Sequence, residues 1–205
     1  MTDRTSQQGQ DKAPIFDPAT HRKLVKHYDE PGQAHELTFS CYQRLPLLKD
    51  PRRCMLLSEA VDRAITNHGF ELIAFVYMPE HVHLIVFPIE PDARIARLLF
   101  AIKRPFSTRV KELMLRTDEP IVHRLTIRER PGKTVFRFWQ EGGGYDRNVK
   151  SVDTLQKTIE YVHNNPVRRG LCDSPDEWKW SSWAYYFDPK HWPQPGLPTV
   201  HGFAS

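Results

Sequence analysis

Between Phe70 and Phe87 the chain reads as two apolar strands joined across Pro79-Glu80, and no other stretch constrains the fold as much. Leu72, Ala74, Val76 and Met78 alternate with Glu71, Ile73, Phe75 and Tyr77, and a tight turn leads into a second strand over His81–Phe87. Two histidines interrupt that second strand at i and i+2. Alternate strand residues share a face, so His81 and His83 point one way and Val82 the other. Two imidazoles on one side of a rigid strand either hold a metal ion between them or sit as satisfied strand residues. The stretch alone leaves both readings open.

The flanking segments supply a topology. His35–Tyr42 alternates Leu37, Phe39 and Cys41 with Glu36, Thr38 and Ser40, the pattern of a half-buried strand. Pro51 opens a helix to about Asn67, where its missing N–H costs little, and Asn67-His68-Gly69 stops it. After the hairpin, Ala93 to about Arg116 carries the stripe Ile95, Leu98, Leu99 and Ile102, with a kink expected at Pro105. Val135–Gln140 reads as a further strand, and Tyr145–Val149, beyond three glycines, as a hairpin-like edge. Ser151 to about Asn165 is a third helix, capped by Ser151 or Asp153, packing through Leu155, Ile159 and Val162 and closed by Pro166. The order β-α-β-β-α-β-α is an α+β, ferredoxin-like split βαβ sandwich. It has an antiparallel sheet with helices on one face and an added C-terminal helix, and it leaves the other face for a ligand.

At 205 residues the chain suits one domain with tails: a polar arm over 1–33, a domain over 34–187, and a proline-rich, frayed tail over 188–205. Trp178, Trp180, Trp183, Tyr185 and Tyr186 suggest a segment folded back on the domain. The net charge of +4 permits an anionic partner without establishing one. Cys41, Cys54 and Cys172 are too few and too scattered for a disulfide framework or a thiolate zinc site, which points to a reducing cytoplasm. No apolar run reaches the roughly 18 residues of a membrane span, and the N-terminus has no signal-peptide core. Arg94, Arg97, Lys103, Arg104, Arg109, Lys111 and Arg116 make the second helix one-sidedly basic, as a solvated face or as a phosphate-contacting surface.

The third helix carries Tyr161-Val162-His163-Asn164-Asn165-Pro166. Tyr161 and Asn165 are i and i+4, on one face. An Asn carbonyl oxygen added to two imidazoles leaves room for waters and a substrate phosphate on magnesium or manganese. A phenol is a poor nucleophile while neutral, but a nearby cation and a metal-polarised phosphodiester make attack feasible. The plainer readings are a tyrosine bridging helix and sheet, and an asparagine ending a helix before proline. His163 lies off that face and reads as exposed or structural.

With these residues in place the chain resembles a known family. Met78-Pro-Glu-His-Val-His-Leu84, Phe138-Trp-Gln140, Tyr161-Val-His-Asn-Asn-Pro-Val-Arg-Arg-Gly-Leu171 and Trp180-Ser-Ser-Trp183 resemble, in order, the REP-associated tyrosine transposases, HUH single-stranded-DNA transposases. The resemblance spans roughly residues 35–187. It implies His81 and His83 as metal ligands, Asn165 as the third ligand where the superfamily often has glutamine, and Tyr161 as nucleophile. The implied cofactor is a divalent ion, Mg2+ or Mn2+. The implied partner is single-stranded or hairpin DNA from repetitive extragenic palindromes, cleaved and rejoined through a 5′-phosphotyrosine. Lys103, Arg104, Arg109, Arg168 and Arg169 are the expected DNA contacts. Trp139 is expected in the core or stacked on a base. The expected protein is a monomer or homodimer, cytoplasmic and nucleoid-associated, with no membrane partner. Residues 118–130 read as an insertion. A non-catalytic single-stranded nucleic-acid-binding module on the same sheet is the alternative, and a structural zinc protein is a poorer one for want of cysteine ligands.

Overall fold

The structure, a computed structural model, describes residues 32–202. Nearly all of the expected arm over 1–33 therefore lies outside the described residues. Six strands and six helices are used below: β1 Ala34–Ser40, α1 Pro51–Asn67, β2 Phe70–Tyr77, β3 His81–Pro88, α2 Ile95–Arg116, α3 Ile121–Leu125, β4 Thr126–Arg130, β5 Lys133–Phe136, β6 Tyr145–Val149, α4 Val152–His163, α5 Asn165–Arg168 and α6 Trp183–Phe187.

Local chemistry bounds α1 and starts α4 where the sequence placed them, but α4 ends at His163 instead of Asn165, and Pro166 opens α5 instead of closing the helix. Asp50 accepts a hydrogen bond from the Arg52 N–H at 2.9 Å, Pro51 fills the first position of α1, and Gly69 takes φ +67° just beyond its end. Ser151 caps α4 by accepting from the Thr154 N–H at 3.2 Å. Pro105 does not end α2. It sits on the exposed face, where the carbonyl it fails to engage meets water instead of core.

The main sheet runs β6-β1-β3-β2, antiparallel throughout, which is the ferredoxin-like order. α1 and α2 cover one face, with Leu37, Phe39, Val82, Leu84 and Val86 buried against Leu57, Val61, Ile102 and Phe106. The opposite face is not left open, contrary to the sequence expectation. α4 lies across it, burying Leu155, Ile159 and Val162 among Ile73, Val76, Met78 and Ile85. Each such side chain removed from water is worth roughly 1.5–3 kcal/mol, so this amphipathic helix is driven onto the sheet.

Two strand assignments change. Only Val135 and Phe136 of the Val135–Gln140 stretch lie in a strand, β5, which pairs with β4 in a separate two-stranded sheet. The reason is packing: Phe138 and Trp139 both bury on the helix side, with Phe39 and Phe106, so they do not alternate as a sheet strand must. The fourth strand of the main sheet is β6 instead. Gly144, at φ +85°, lets the chain reach it, because a Cβ there would stand 2.1 Å from the Thr38 carbonyl oxygen. The 118–130 segment is ordered as α3 and β4.

The aromatic segment folds back as expected. Trp180–Ser182 runs along the free edge of β2, with Tyr77 N donating to Trp180 O at 2.8 Å and Ser182 N to Phe75 O at 3.0 Å. Covering that edge removes a row of unpaired backbone groups. The segment after Pro189 is not frayed up to residue 202. Thr199 N donates to Asp62 Oδ1 at 2.7 Å and His201 N to Leu72 O at 2.9 Å, and Val200 is buried. The register shift between Leu72 and Ala74 frees the Leu72 carbonyl for that bond.

Candidate functional site

The sheet register assembles the site. Thr38 of β1 stands opposite His83 of β3 and, on its other side, opposite Tyr145 of β6, while Ser40 stands opposite His81. Directly opposed residues share a face, so Tyr145, Thr38, His83 and His81 lie on the α4 side of the sheet.

His81 Nε2 and His83 Nε2 are 2.9 Å apart, with ring planes at 77°. His83 Nδ1 hydrogen-bonds Thr38 Oγ1 at 3.0 Å, whereas His81 Nδ1 lies 3.2 Å from Glu80 Oε1, in ion-pair range but out of hydrogen-bond alignment. Two N–H groups cannot point at each other across 2.9 Å, so at most one Nε2 carries a proton. The negative Glu80 carboxylate beside Nδ1 favours the His81 proton there, which leaves Nε2 bare. His83 then donates from Nε2 to His81, and its Nδ1 accepts from the Thr38 hydroxyl. Burial lowers the pKa of His81 although the Glu80 carboxylate pulls it up. Burial, with neighbouring His81, pushes His83 down to about 3. Both rings are neutral at pH 7, the form that donates to a metal. Among the described residues no cluster of three or more His, Cys, Asp or Glu is poised for a metal.

Glu80 also binds the far end of the tyrosine helix. Its Oε1 is 2.9 Å from Arg169 Nη2, just past α5, and 3.7 Å from Arg44 Nη2. Tyr161 is 47% exposed, with the Arg168 guanidinium 4.6 Å from its ring centre. Asn165 turns its side-chain NH2 back onto the helix, donating to the Tyr161 and Val162 carbonyls at 3.1 and 3.2 Å. Its amide oxygen is the atom left to offer a cation. Tyr145, on the histidine face, is equally exposed at 51%. His163 is structural. It is buried with Nε2 2.8 Å from Ser182 Oγ, and burial pushes its pKa down to about 4.

The expected DNA-contacting cations fall in three places. Arg168 and Arg169 flank the tyrosine helix. Lys103 and Arg104 line a groove of about 760 Å³ on the helix side of the sheet, with Phe100, Lys111, Phe136, Gly142 and Gly143. Lys103 Nζ donates to Gly142 O and sits over the Phe39 ring, and burial pushes its pKa down to about 8. Arg109 lies on another side of α2, bonded to Glu59 of α1. Trp139 is a core residue. Thr38 and Glu80 were missed as partners of the histidines. Glu80 read as a turn residue, and nothing local in the sequence shows that Thr38 faces His83.

The four-stranded antiparallel sheet and its covering helices match the fold of a REP-associated tyrosine transposase. The resemblance read from the motifs is borne out by two comparisons. The chain is 24% identical over 123 residues, 60% of its length, to a putative REP-associated tyrosine transposase of Haemophilus influenzae strain Rd, and spans 64% of that relative's length. It superposes with a TM-score of 0.62, at 18% identity, on a REP-associated tyrosine transposase bound to a REP hairpin, covering 88% of this chain and 93% of that one. No protein-family model matches the sequence. Among the described residues no helix is long and apolar enough to cross a membrane.

Proposed function

We propose that this protein cleaves and rejoins single-stranded DNA at hairpin repeats through a 5′-phosphotyrosine link to Tyr161, with Mg2+ or Mn2+ held by His81, His83 and Asn165. The observation that supports the reading is the facing pair of imidazole Nε2 atoms, on the sheet face against which α4 packs, with the phenol of Tyr161 on that helix exposed. Two neutral imidazoles and the Asn165 amide oxygen would hold a divalent ion and leave positions for water and a substrate phosphate. The bound ion would polarise the scissile phosphodiester and offset its charge.

The Tyr161 oxygen attacks phosphorus, forming the phosphotyrosine bond and losing its proton to solvent. The bond from phosphorus to the 3′ oxygen breaks, and that oxygen leaves as a 3′-hydroxyl after taking a proton from solvent. A second 3′-hydroxyl reverses these steps on the link, joining the strands and restoring the phenol. The phosphodiester energy is conserved in the covalent link, so no outside source is needed. Lys103, Arg104 and Arg168 are the proposed phosphate contacts. Arg109 and Arg169 already hold carboxylates, and a phosphate would have to displace Glu59 or Glu80.

The test is a cleavage assay on single-stranded hairpin DNA with Mg2+ or Mn2+. Wild type should form a covalent protein–DNA adduct, and Tyr161→Phe should lose it while still binding DNA. An adduct that survives in Tyr161→Phe would move the nucleophile to Tyr145.

A further inference from the structure

Tyr161 and Asn165 lie far along the chain from the histidine pair. α4, which carries Tyr161, packs on the sheet face that carries the histidines. Polar contacts tie the two halves: Arg147 of β6 bonds Glu36 of β1 and Thr158 of α4, and Glu80 reaches the far end of the tyrosine segment. Glu80 Oε1 contacts His81 Nδ1 at 3.2 Å and Arg169 Nη2 at 2.9 Å, so a single carboxylate oxygen touches both the strand that carries the histidines and the end of the tyrosine segment. The Glu80 side chain is 11% exposed and that of Arg169 52%, so the carboxylate is shielded while its guanidinium partner stays half-exposed. Arg44 is the other cation that faces it, at 3.7 Å.

The two histidines are held differently. His81 faces a carboxylate, whose charge favours its proton on Nδ1. His83 faces a hydroxyl, which donates or accepts as needed. In that tautomer His81 Nε2 points its lone pair inward. His83 presents its lone pair only after its Nε2 proton leaves to solvent, Nδ1 gains one from solvent, and Thr38 turns from donor to acceptor.

We propose that Glu80, clamped by Arg169, is a positioning residue that locks the tautomer and aim of His81 and fixes the end of the tyrosine segment against the histidine pair. Arg169 thus serves the site through Glu80 and not as a phosphate contact. This deepens the metal-site reading of His81 and His83 and rests on it. Partners behind a metal-binding imidazole set its tautomer and orientation, and losing one typically lowers metal affinity on the order of 10- to 100-fold.

The experiment has three readouts on full-length protein. The first is nitrogen NMR of the histidine rings without metal. Wild type should carry the His81 proton on Nδ1 and the His83 proton on Nε2. In Glu80→Gln, whose amide both donates and accepts, His81 should become a mixture of tautomers. The second is Mn2+ affinity by calorimetry. Glu80→Gln should bind on the order of 10- to 100-fold more weakly. Arg169→Ala should also weaken it, and Arg169→Lys should restore most of the loss. The third is the salt dependence of hairpin DNA binding in chelator, where Arg169→Ala should keep the wild-type slope. The proposal is overturned if Glu80→Gln keeps both the wild-type proton positions and the wild-type Mn2+ affinity. It is equally overturned if Arg169→Ala leaves Mn2+ affinity intact and reduces the salt slope by the roughly 0.7 to 0.9 expected of one lost phosphate contact. Wild type that binds no Mn2+ would sink the metal reading itself, and the ring-proton measurement would still decide the role of Glu80.

Discussion

His163 makes the fold acid-sensitive, and the size of the effect follows from its surroundings. Ser182 Oγ accepts from the Phe75 N–H at 2.9 Å and donates to Phe75 O at 3.3 Å, leaving a lone pair to accept from His163 Nε2–H at 2.8 Å. In this arrangement every donor has an acceptor. His163 Nδ1 is then a bare lone pair, buried with no partner, near the rings of Tyr186 and Phe187. Protonation would put an N–H with no acceptor into that place, which is why burial pushes the pKa from 6.5 down to about 4. The unfolded chain binds this proton more tightly than the folded one, so stability rises with pH between about 4 and 6.5 and is lost as pH falls through that window. At pH 7 the penalty is near zero, and at about pH 4.5 it is about 2.5 kcal/mol. His163→Gln keeps an N–H placed like Nε2–H and removes the titration. Urea denaturation of both proteins at pH 7 and about pH 4.5 isolates the effect, because contributions from His81 and His83 cancel between them. The wild type should lose about 2.5 kcal/mol more than the variant on acidification. Equal losses would refute the argument.

Other outcomes follow from the same structure. Lys103, with its pKa pushed down to about 8, should lose its charge between pH 7 and 9, so hairpin DNA binding should weaken across that range. Lys103→Arg should flatten the profile in a filter-binding or anisotropy titration. Gly144→Ala adds a Cβ 2.1 Å from the Thr38 carbonyl oxygen at φ +85°. It should destabilise the protein by at least about 2 kcal/mol in thermal or urea unfolding and disturb Thr38, the partner of His83. Arg168→Ala should reduce the salt slope of DNA binding by roughly 0.7 to 0.9, the mark of one lost phosphate contact.

Much of the architecture was legible because it is local. Asp50-Pro51, Asn67-His68-Gly69 and Ser151 mark helix ends through groups within a few residues of each other. Strict alternation in β1 and β3 places Leu37 and Phe39 on one face and both histidines on the other. What misled was also local: Val135–Gln140 has strand-like residues, but its aromatic side chains all find the same core, and Tyr145–Val149 becomes the fourth strand through the tight approach of Gly144.

By itself the sequence determined that His81 and His83 share a face and that a split βαβ order builds the sheet carrying them. Strand and helix periods settle such facts without reference to anything distant. Only the tertiary structure decided that Thr38 backs His83, that Glu80 joins His81 to Arg169, and that α4 closes the face expected to be open. Those contacts depend on strand register and on which surface buries an amphipathic helix. Both are set by the packing of the whole core, because a slip of one residue in any strand would turn these side chains to the other face.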